Sequence, residues 1–534
     1  MPSPPVTAVL IIGIVWVVYR LSKVGSREPG LPPGPPTLPL LGNLHVFETR
    51  GIHLKLTEWA RMYGDIYSIK FGPQSSIVIS SPKLLREYVD LKGAMTSDRP
   101  PVYVDELISN SMELPLMRYD EKWRIMRKAA HDMVSREACN KHLPIQRAEA
   151  TQLLSDLLDS PEHFYTHIYR YTASVVTSVV YGIHCPKYHD CFVDKFDRFT
   201  QRLEAAMRPG NSPPVDMFPW LKYTPEFLAP WKRKCMEMRK QQREIFFGML
   251  DLVQDRMKEG QGNDCFMEYV IEHQKHYNLD REFLGYLGGS LLQAGIDTTA
   301  IFLQSMLACI ITHPHVQKRA QEEIDRVIGS ERAPGFPDWD NLPYVRALVS
   351  EVNRFCPVAP LAVPHAATAD LKLGEYLVPK DSIIFLNTWG IYRHPDYYEN
   401  PDVFEPERYL KNEFGIKSGA DTTGCRNDFH FGAGRRRCPG INLANNSIAL
   451  NTMNLLWAFN FNKAKDPLTG KPIEINLNVD VNREAVLLVQ KPFKCEITPR
   501  NTAKIEVIRA DFERAKEVFE PFEKQIITLS DAFV

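Results

Sequence analysis

One cysteine of the chain lies in a loop rich in glycine and arginine. Residues 431–440 read FGAGRRRCPG, so three arginines directly precede Cys438, and Pro439 follows at a position suited to open a helix. The thiolate is the form of cysteine that ligates a metal, and neighbouring cations favour it over the thiol. The loop therefore predicts a thiolate metal ligand at Cys438. The other nine cysteines are expected to be ordinary reduced thiols.

A second group suited to chemistry interrupts an apolar helical pattern. Residues 294–299 read AGIDTT between the apolar segments LLQ and AIFLQSMLA. A glycine and two hydroxyl residues loosen the hydrogen bonding of a helix, and an acid among apolar neighbours is costly unless it has a task. The alternative is an acid on a solvent-facing surface, which the apolar flanks disfavour.

The cysteine loop identifies a known family. The spacing of Phe431, Gly434, Arg436, Cys438 and Gly440 resembles the haem-binding signature of cytochrome P-450 enzymes. This resemblance implies a haem b cofactor that the loop holds, with the Cys438 thiolate as the axial ligand of the iron. Thiolate ligation pushes electron density onto the iron and favours cleavage of the O–O bond.

Three further motifs fall in the order found in that family. AGIDTT is similar to its oxygen-activation motif, which implies a proton relay with Asp297 as the acid and Thr298 as the alcohol. Trp123 and Arg127 match its W-x-x-x-R helix, which donates to a haem propionate, although core packing explains Trp123 equally well on its own. His365 ends the segment PVAPLAVPH, where many members carry arginine, and the resemblance implies a propionate contact there.

A structural network is also expected. Glu351 and Arg354 stand at i and i+3 of a predicted helix and share a face, as an exposed ion pair would. With Arg408 in the downstream PERY motif, they resemble the buried Glu-Arg-Arg network of the family. Buried charges need such pairing, so the expected role of these three residues is structural.

The resemblance implies a membrane-anchored monooxygenase, an oxidoreductase that inserts one oxygen atom from O2 into a lipophilic small molecule. Because the sequence shows no flavin or nicotinamide fingerprint, electrons are expected from NADPH through a separate flavoprotein reductase. The likeness to fungal microsomal members suggests secondary-metabolite biosynthesis. The alternatives are a haem-thiolate isomerase or dehydratase without a reductase, or a catalytically silent haem-binding protein. Retention of both Asp297 and Thr298 disfavours each of them.

The substrate pocket is expected from four segments: residues 103–117, Gln293 with Ala294, residues 358–363 and the turn at 481–485. Their residues are largely small or aliphatic, and no lysine or arginine cluster is expected on the distal face. An unpaired ionised substrate in such a cavity would be costly. The sequence therefore predicts a lipophilic, uncharged substrate, such as a terpenoid or aromatic polyketide.

Helices must position most of these residues. The 534-residue chain is 44% apolar, and long amphipathic or apolar stretches predict helices over 51–63, 135–158, 163–181, 231–259, 281–311, 315–328 and 344–355. Short strands are expected within 66–80, 367–378, 382–385 and 485–497. The predicted fold is mainly α with small β-sheets, in the form of a single large haem-binding domain over 43–500. A C-terminal extension over 501–534 contains an amphipathic helix.

The N-terminal residues predict a membrane anchor. Residues 1–19 carry no charge, and 6–19 are almost wholly apolar, long enough to reach across a bilayer core of about 30 Å. A cleaved signal peptide is disfavoured because no basic region precedes the run. Residues 1–20 are thus expected to anchor the chain in the endoplasmic reticulum membrane, and the basic, proline-rich segment 21–42 to act as a hinge. Arg20, Lys23 and Arg27 place the body in the cytosol.

Composition excludes some other functions. The formal net charge is −1 and there is no basic tail, which disfavours nucleic acid as a partner. No two cysteines stand at C-x-x-C spacing, which disfavours a zinc site.

Overall fold

The computed structural model of the protein describes residues 4–47, 50–189, 192–208, 210–477 and 486–523. Helices form most of these residues, and the strands among them are short and belong to small sheets. The mainly α architecture with small β-sheets, predicted from the sequence, is confirmed.

The helices range from single turns to more than eight turns. In chain order along the described residues they are α1 (Pro4–Lys23), α2 (Ile52–Tyr63), α3 (Pro82–Leu85), α4 (Gly93–Thr96), α5 (Tyr103–Ser109), α6 (Glu121–Val134), α7 (Arg136–Lys141), α8 (Leu143–Asp159), α9 (Phe164–Tyr181), α10 (Val193–Met207), α11 (Pro230–Lys258), α12 (Phe266–Glu272), α13 (Gln274–Tyr277), α14 (Arg281–Thr312), α15 (Pro314–Val327), α16 (Pro343–Phe355), α17 (Thr388–Ile391), α18 (Arg408–Lys411), α19 (Ile441–Ala458) and α20 (Thr502–Phe519).

The strands build one four-stranded sheet and two hairpin-like pairs. They are β1 (Ile66–Phe71), β2 (Gln74–Ile79), β3 (His365–Ala366), β4 (Leu371–Leu373), β5 (Tyr376–Val378), β6 (Ile383–Leu386), β7 (Phe459–Lys463) and β8 (Cys495–Pro499). The larger sheet has the order β1-β2-β6-β3, in which β2 and β6 are parallel and the other neighbours antiparallel. β4 pairs with β5, and β7 pairs with β8.

Helix α14 runs through the interior and positions one wall of the site. It begins after Asp280, whose carboxylate accepts a hydrogen bond of 2.9 Å from the Phe283 amide and so caps the helix. It is long and apolar enough to cross a membrane, but 72% of its most apolar stretch is buried inside the protein. A helix that is apolar all round and covered by neighbours is a core helix.

The predicted helix over 135–158 is wrong in one respect, because two helices, α7 and α8, occupy it. Pro144 lies in the first turn of α8, where its missing N–H costs nothing. Inside a continuous helix the same residue would lose a hydrogen bond and clash with the preceding turn. The hydroxyl of Ser135 accepts from the Ala138 amide at 3.2 Å and starts α7.

Two predicted strand segments are shorter than expected. The segment 367–378 is a hairpin of β4 and β5 that turns at Gly374, where φ is +62° and glycine is favoured. Within 485–497 the strand is β8, which begins at Cys495 and pairs with β7. Residue 485 lies outside the described residues.

The C-terminal helix α20 packs onto the body. The side chain of Asn501 accepts from the Lys504 amide at 2.9 Å and caps the helix. Ile508, Ala515 and Phe519 are buried in the main hydrophobic core. The ring of Phe519 stacks on the imidazole of His184, with 4.0 Å between the centroids and a 7° interplanar angle. The helix therefore contributes to the core and completes it on the α8 side.

Candidate active site

A cavity of about 460 Å³ lies between the middle of α14 and the loop that carries Cys438. Residues of α14 between Ser290 and Phe302 form one wall, and residues of the cysteine loop between His430 and Gly440 form another. Most of its lining is apolar. Such a cavity, with a few polar groups converging on it, is the usual form of a cofactor and substrate site.

The cysteine loop is fixed by its own backbone. The Cys438 amide donates a hydrogen bond of 2.8 Å to the Phe431 carbonyl. Gly434 has a φ of +57°, and a Cβ there would come within 2.6 Å of the Val89 carbonyl oxygen, so the position requires glycine. Its amide also donates to the Asp90 carboxylate at 2.7 Å. Gly434 thus closes the loop onto the protein.

Burial decides the protonation of the Cys438 thiol. It raises the pKa of Cys438 above the ordinary value, against the smaller opposing effects of the Gly440 amide and the Arg127 and Arg437 guanidinium groups. Gly440 has an ordinary φ of −79°, and a Cβ there would meet Cys438 Sγ at 3.9 Å. The Gly440 amide therefore acts on the Cys438 thiol through its hydrogen bond, whereas a side chain at this position would make only an ordinary contact with the sulfur.

The expectation that the three arginines before Cys438 favour its thiolate is wrong for Arg435 and Arg436, which are engaged elsewhere. Only one of the three guanidinium groups lowers the thiol pKa, and burial outweighs it. Metal binding itself displaces the proton of a thiol ligand. The contacts are the Tyr119 hydroxyl for Arg435, the Ser97 and Met117 carbonyls for Arg436 and the Asp428 carboxylate for Arg437.

Basic side chains and an indole line the cavity beside the cysteine loop: Arg99, Arg127, Arg436, His365 and Trp123. Burial, and then repulsion from the Arg436 charge, lower the pKa of Arg99 well below its usual range. Arg436 also keeps one buried guanidinium nitrogen, Nη1, without a hydrogen-bond partner. Two carboxylates placed beside these guanidinium groups would relieve both costs. The residues present thus fit a haem whose propionates lie against this wall.

His365 is buried and neutral. Its Nδ1 lies 2.7 Å from the Thr96 carbonyl oxygen, and burial together with nearby Arg99 keeps the pKa of the imidazole well below its usual range. The positive charge of this wall therefore comes from its arginines and not from His365. Arg99 is one of them, and its guanidinium donates to the Val363 and Pro364 carbonyls at 2.6 and 2.9 Å. Sequence reasoning missed Arg99, because it belongs to no motif of recognisable spacing.

Asp297 and Thr298 lie in the α14 wall of the same cavity. The helix continues through them unbroken, and the Thr298 hydroxyl donates to the Ala294 carbonyl at 2.9 Å. The expected loosening of the helix is therefore wrong, because the Thr298 hydroxyl shares a backbone acceptor without interrupting the α-helix. Across from α14, burial and then the Asp297 charge raise the pKa of the Tyr169 hydroxyl well above its usual range.

The Glu351, Arg354 and Arg408 side chains meet in the interior. Arg354 donates to both Glu351 oxygens, at 2.8 and 2.7 Å, and Arg408 Nε lies 3.1 Å from the same carboxylate. Both charged groups of the first pair are 0% exposed. The Glu405 amide adds a hydrogen bond of 2.7 Å to Glu351. The carboxylate is therefore paired and saturated, as a buried charge must be.

The expected pocket segments line parts of the cavity, and residues from other segments line it as well. Gln293 and Ala294 line it, as do parts of 103–117 and 358–363. The segment 481–485 lies outside the described residues, although Val486 and Leu487 line the cavity. The expected segment 103–117 contains two polar lining residues, Asp105 and Glu113, which sequence reasoning did not single out. It missed Gln242 and Ser290 of the same wall. These residues come from the α5 region, α11 and α14, which are distant in sequence and meet only in the folded protein.

This fold, with a lone cysteine opposite an acid–alcohol pair, defines a haem-thiolate protein. The family model described as cytochrome P-450 matches residues 32–493. The chain belongs to the cytochrome P-450 family.

Curated relatives agree over almost their whole length. A cytochrome P-450 monooxygenase of Armillaria gallica is 41% identical over 512 residues, which cover 96% of this chain and 97% of the relative. The cytochrome P-450 monooxygenase patI of Penicillium expansum is 34% identical over 511 residues, which cover 95% of this chain and 96% of that relative. The protein is thus a haem-thiolate monooxygenase.

The fold also matches a solved structure. A zebra fish cytochrome P-450 determined with progesterone has a TM-score of 0.69 at 22% identity, covering 84% of this chain and 99% of that one. At this identity the match shows a shared fold.

Proposed function

We propose that the protein is a membrane-anchored monooxygenase in which Cys438 would hold haem iron through its sulfur and Asp297 with Thr298 of α14 would supply protons. The observation that carries the proposal is the cavity itself, which has Cys438 in one wall and Asp297 with Thr298 in another. The net reaction places one oxygen atom of O2 in the substrate and the other in water, with two electrons and two protons consumed.

The chain would hold haem by four kinds of contact. Cys438 would supply a thiolate ligand to the iron, and the Gly440 amide donates to its sulfur. Trp123, Arg127, Arg436 and Arg99 would donate to the propionates, and neutral His365 lies beside them in the same wall. Phe431 and Gly434 hold the loop in place. When bound, thiolate-ligated haem iron supplies the activation of O2 and the transfer of oxygen to the substrate.

The proton supply comes from α14. Thr298 holds a hydroxyl at the cavity wall, where a hydrogen bond to the Ala294 carbonyl orients it. Asp297, one residue before it, is the acid that exchanges protons with the interior of the wall. Positioned acid and hydroxyl groups of this kind contribute roughly 10²–10⁴-fold to a rate.

Electrons reach the protein from a separate NADPH-dependent flavoprotein reductase. The absence of a flavin or nicotinamide fingerprint in the sequence supports this assignment. The reductase and this monooxygenase would meet at the same membrane surface. Glu351, Arg354 and Arg408 keep the body rigid behind the haem and take no part in the electron transfer.

Helix α1 supports a single-pass anchor in the endoplasmic reticulum membrane. Its 20 residues extend over about 30 Å, the thickness of a bilayer core. The side chains of residues 11–19 are exposed, among them Ile12 and Trp16 at 67% and 60%, so they do not pack on the body. Arg20 and Lys23 follow on the side assigned to the cytosol, with the segment 21–42 as hinge and 43–500 as the catalytic domain.

The substrate is a lipophilic small molecule of secondary metabolism. The mostly apolar cavity favours such a ligand, and the likeness to monooxygenases of Armillaria, Penicillium and Aspergillus species supports a role in a fungal biosynthetic route. Incubation with reductase, NADPH and extracts of the producing organism, followed by mass spectrometry, identifies the product by its gain of one oxygen atom.

The ferrous carbonyl spectrum tests the haem assignment. We expect the red-shifted Soret band of thiolate ligation in the wild-type protein and in Cys425→Ala, a half-buried cysteine outside the cavity that serves as the matched control. Cys438→Ala should lose the band. If Cys438→Ala retained it, another residue would be the ligand and the proposal would be wrong.

Deletion of residues through Tyr19 tests the anchor separately. The shortened protein should keep the thiolate spectrum and leave the membrane fraction. Loss of haem incorporation would show instead that α1 belongs to the fold.

A further inference from the structure

Four buried polar side chains meet in a part of the cavity wall that the haem and proton groups do not use. Glu113 Oε1 accepts a hydrogen bond of 2.7 Å from Gln242 Nε2, and Glu113 Oε2 accepts one of 2.9 Å from Ser290 Oγ. Asp105, which accepts from the Ser109 hydroxyl at 2.6 Å, raises the Glu113 pKa by its charge. All four are less than a tenth exposed. We call Asp105, Glu113, Gln242 and Ser290 the acidic end of the cavity.

The acidic end is built by three elements that are distant in sequence. Asp105 and Glu113 come from α5 and the segment after it, Gln242 from α11 and Ser290 from α14. Ser290 precedes Thr298 by eight residues on one helix, which places it about 12 Å from the proton-delivering hydroxyl along the helix axis. A ligand that reaches both groups must therefore be about two helical turns long.

The acidic end offers an unused hydrogen-bond acceptor, which a donor group of a ligand could fill. Gln242 is fully buried and lines the cavity, and its Oε1 has no hydrogen-bond partner, although a buried acceptor left unsatisfied is costly. Burial raises the pKa of Asp105 to about 7 and that of Glu113 to about 8. Near neutral pH Glu113 is thus mostly protonated and Asp105 about half protonated, so the pair carries much less charge than two free carboxylates and suits a neutral partner better than an ion.

We propose that the acidic end binds a hydroxyl group of the substrate, so that the protein oxidises a lipophilic alcohol or phenol at a carbon remote from that hydroxyl. A hydroxyl donates to Gln242 Oε1 and accepts from a carboxylic acid in the same geometry, which neither a hydrocarbon nor an ether does. A carboxylate ligand would bring a buried charge to the acidic end, where none of the four side chains is a cation that could pair with it. The inference rests on the proposed function, because it concerns the orientation of the substrate toward Thr298.

The test compares rigid probes that differ only in the group at one end. 4-Phenylphenol, 4-methoxybiphenyl, 4-aminobiphenyl and biphenyl-4-carboxylate are titrated against the ferric holoenzyme, and dissociation constants are read from the spin-state change. We expect the phenol to bind about tenfold more tightly than the methyl ether, the effect of one hydrogen bond to a buried acceptor, and more tightly than the carboxylate. A phenol that binds no better than the ether overturns the proposal, as does the absence of binding by both. If 4-aminobiphenyl bound most tightly, the hydroxyl proposal would be wrong and the site would be assigned to an amino group instead.

Variants locate the preference. Gln242→Met removes the unpartnered oxygen at similar volume and should reduce the phenol preference to about threefold or less, and Ser290→Ala should reduce it partially. Glu282→Gln is the matched control, since Glu282 links the same two helices through an exposed pair with Arg243 and should leave the preference unchanged. A preference that all variants retain contradicts the assignment to the acidic end. The wild-type comparison stands even where a variant fails to take up haem.

The carbonyl spectrum of the same preparations separates the two levels of inference. Loss of the thiolate band in the wild-type protein would refute the proposed function. A normal band without discrimination between phenol and ether would refute only the hydroxyl site.

Discussion

The guanidinium of Arg436 lies over the indole of Trp123, with its Cζ atom 4.1 Å from the ring centroid. Its Nε and Nη2 donate to the Ser97 and Met117 carbonyls, each at 2.7 Å, while Nη1 keeps no partner. The two residues belong to separate motifs, the W-x-x-x-R helix and the cysteine loop. Stacking and hydrogen bonding together aim the remaining N–H group into the cavity wall where a propionate would lie.

Arg436→Lys should weaken haem retention by at least about tenfold. Lysine is a point charge that neither stacks as a plane nor bridges two carbonyls, so the propionate donor loses its orientation. Haem transfer to apomyoglobin measures the loss. Arg435→Lys is the control, because Arg435 is exposed and contacts Tyr119 instead. Equal retention by the two variants would remove Arg436 from haem binding.

Thr298→Ala should keep haem and substrate binding but divert NADPH electrons to hydrogen peroxide. The variant removes the hydroxyl of the proton relay, and coupling of NADPH to product should fall several-fold. Thr312→Ala is a matched control, since Thr312 makes the same hydrogen bond, 2.8 Å to the Ala308 carbonyl, at the end of α14 outside the cavity. Product and peroxide are measured per NADPH consumed. Unchanged coupling in Thr298→Ala would exclude this residue from proton delivery.

Local patterns in the sequence predict much of the fold and part of the site. The apolar run of α14 and the i, i+3 spacing of Glu351 and Arg354 suffice to predict a helix and an ion pair, because these signals lie within a few residues. The engagement of the arginines beside Cys438 could not be predicted, since their partners are far away in the chain. The same holds for Arg99 and for the acidic end. All three features depend on contacts between residues far apart in the chain, which local sequence propensity does not reveal.

Arg354→Ala should lower the free energy of unfolding by about 3–5 kcal/mol, because it leaves Glu351 charged and half paired in the core. Loss of haem should accompany the loss of stability. Arg332→Ala removes an exposed pair with Asp338 and should cost below about 1 kcal/mol. Thermal unfolding followed by circular dichroism checks both values. A small effect of Arg354→Ala would show that Arg408 alone can neutralise the carboxylate.

Phe519→Ala should destabilise the protein by about 3–5 kcal/mol, since it empties a core position and removes the stack on His184. Lys516→Ala, on the exposed side of the same helix, should change stability little. The melting temperature and the protease sensitivity of α20 measure the effect. If the two variants behaved alike, the C-terminal helix would be dispensable to the body.

The acidic end also predicts a dependence of stability on pH. Burial raises the pKa of Glu113 from an ordinary value near 4.5 to about 8, so between these values the native state holds a proton that the unfolded state releases. Stability contributed by this group is therefore present at acidic pH and is lost as the pH rises from about 4.5 to about 8.

Glu113→Gln cannot ionise and should remove that loss, while Asp105, whose pKa is raised to about 7, retains its own. The melting temperature of Glu113→Gln minus that of the wild-type protein should thus increase steadily from about pH 5 to about pH 8. In Glu282→Gln the same difference should stay constant over this range, because a hydrogen bond from Arg243 lowers the pKa of Glu282 and places its titration below the range. A constant difference in Glu113→Gln as well would contradict the raised pKa of Glu113, since the group would then titrate below this range in the native protein.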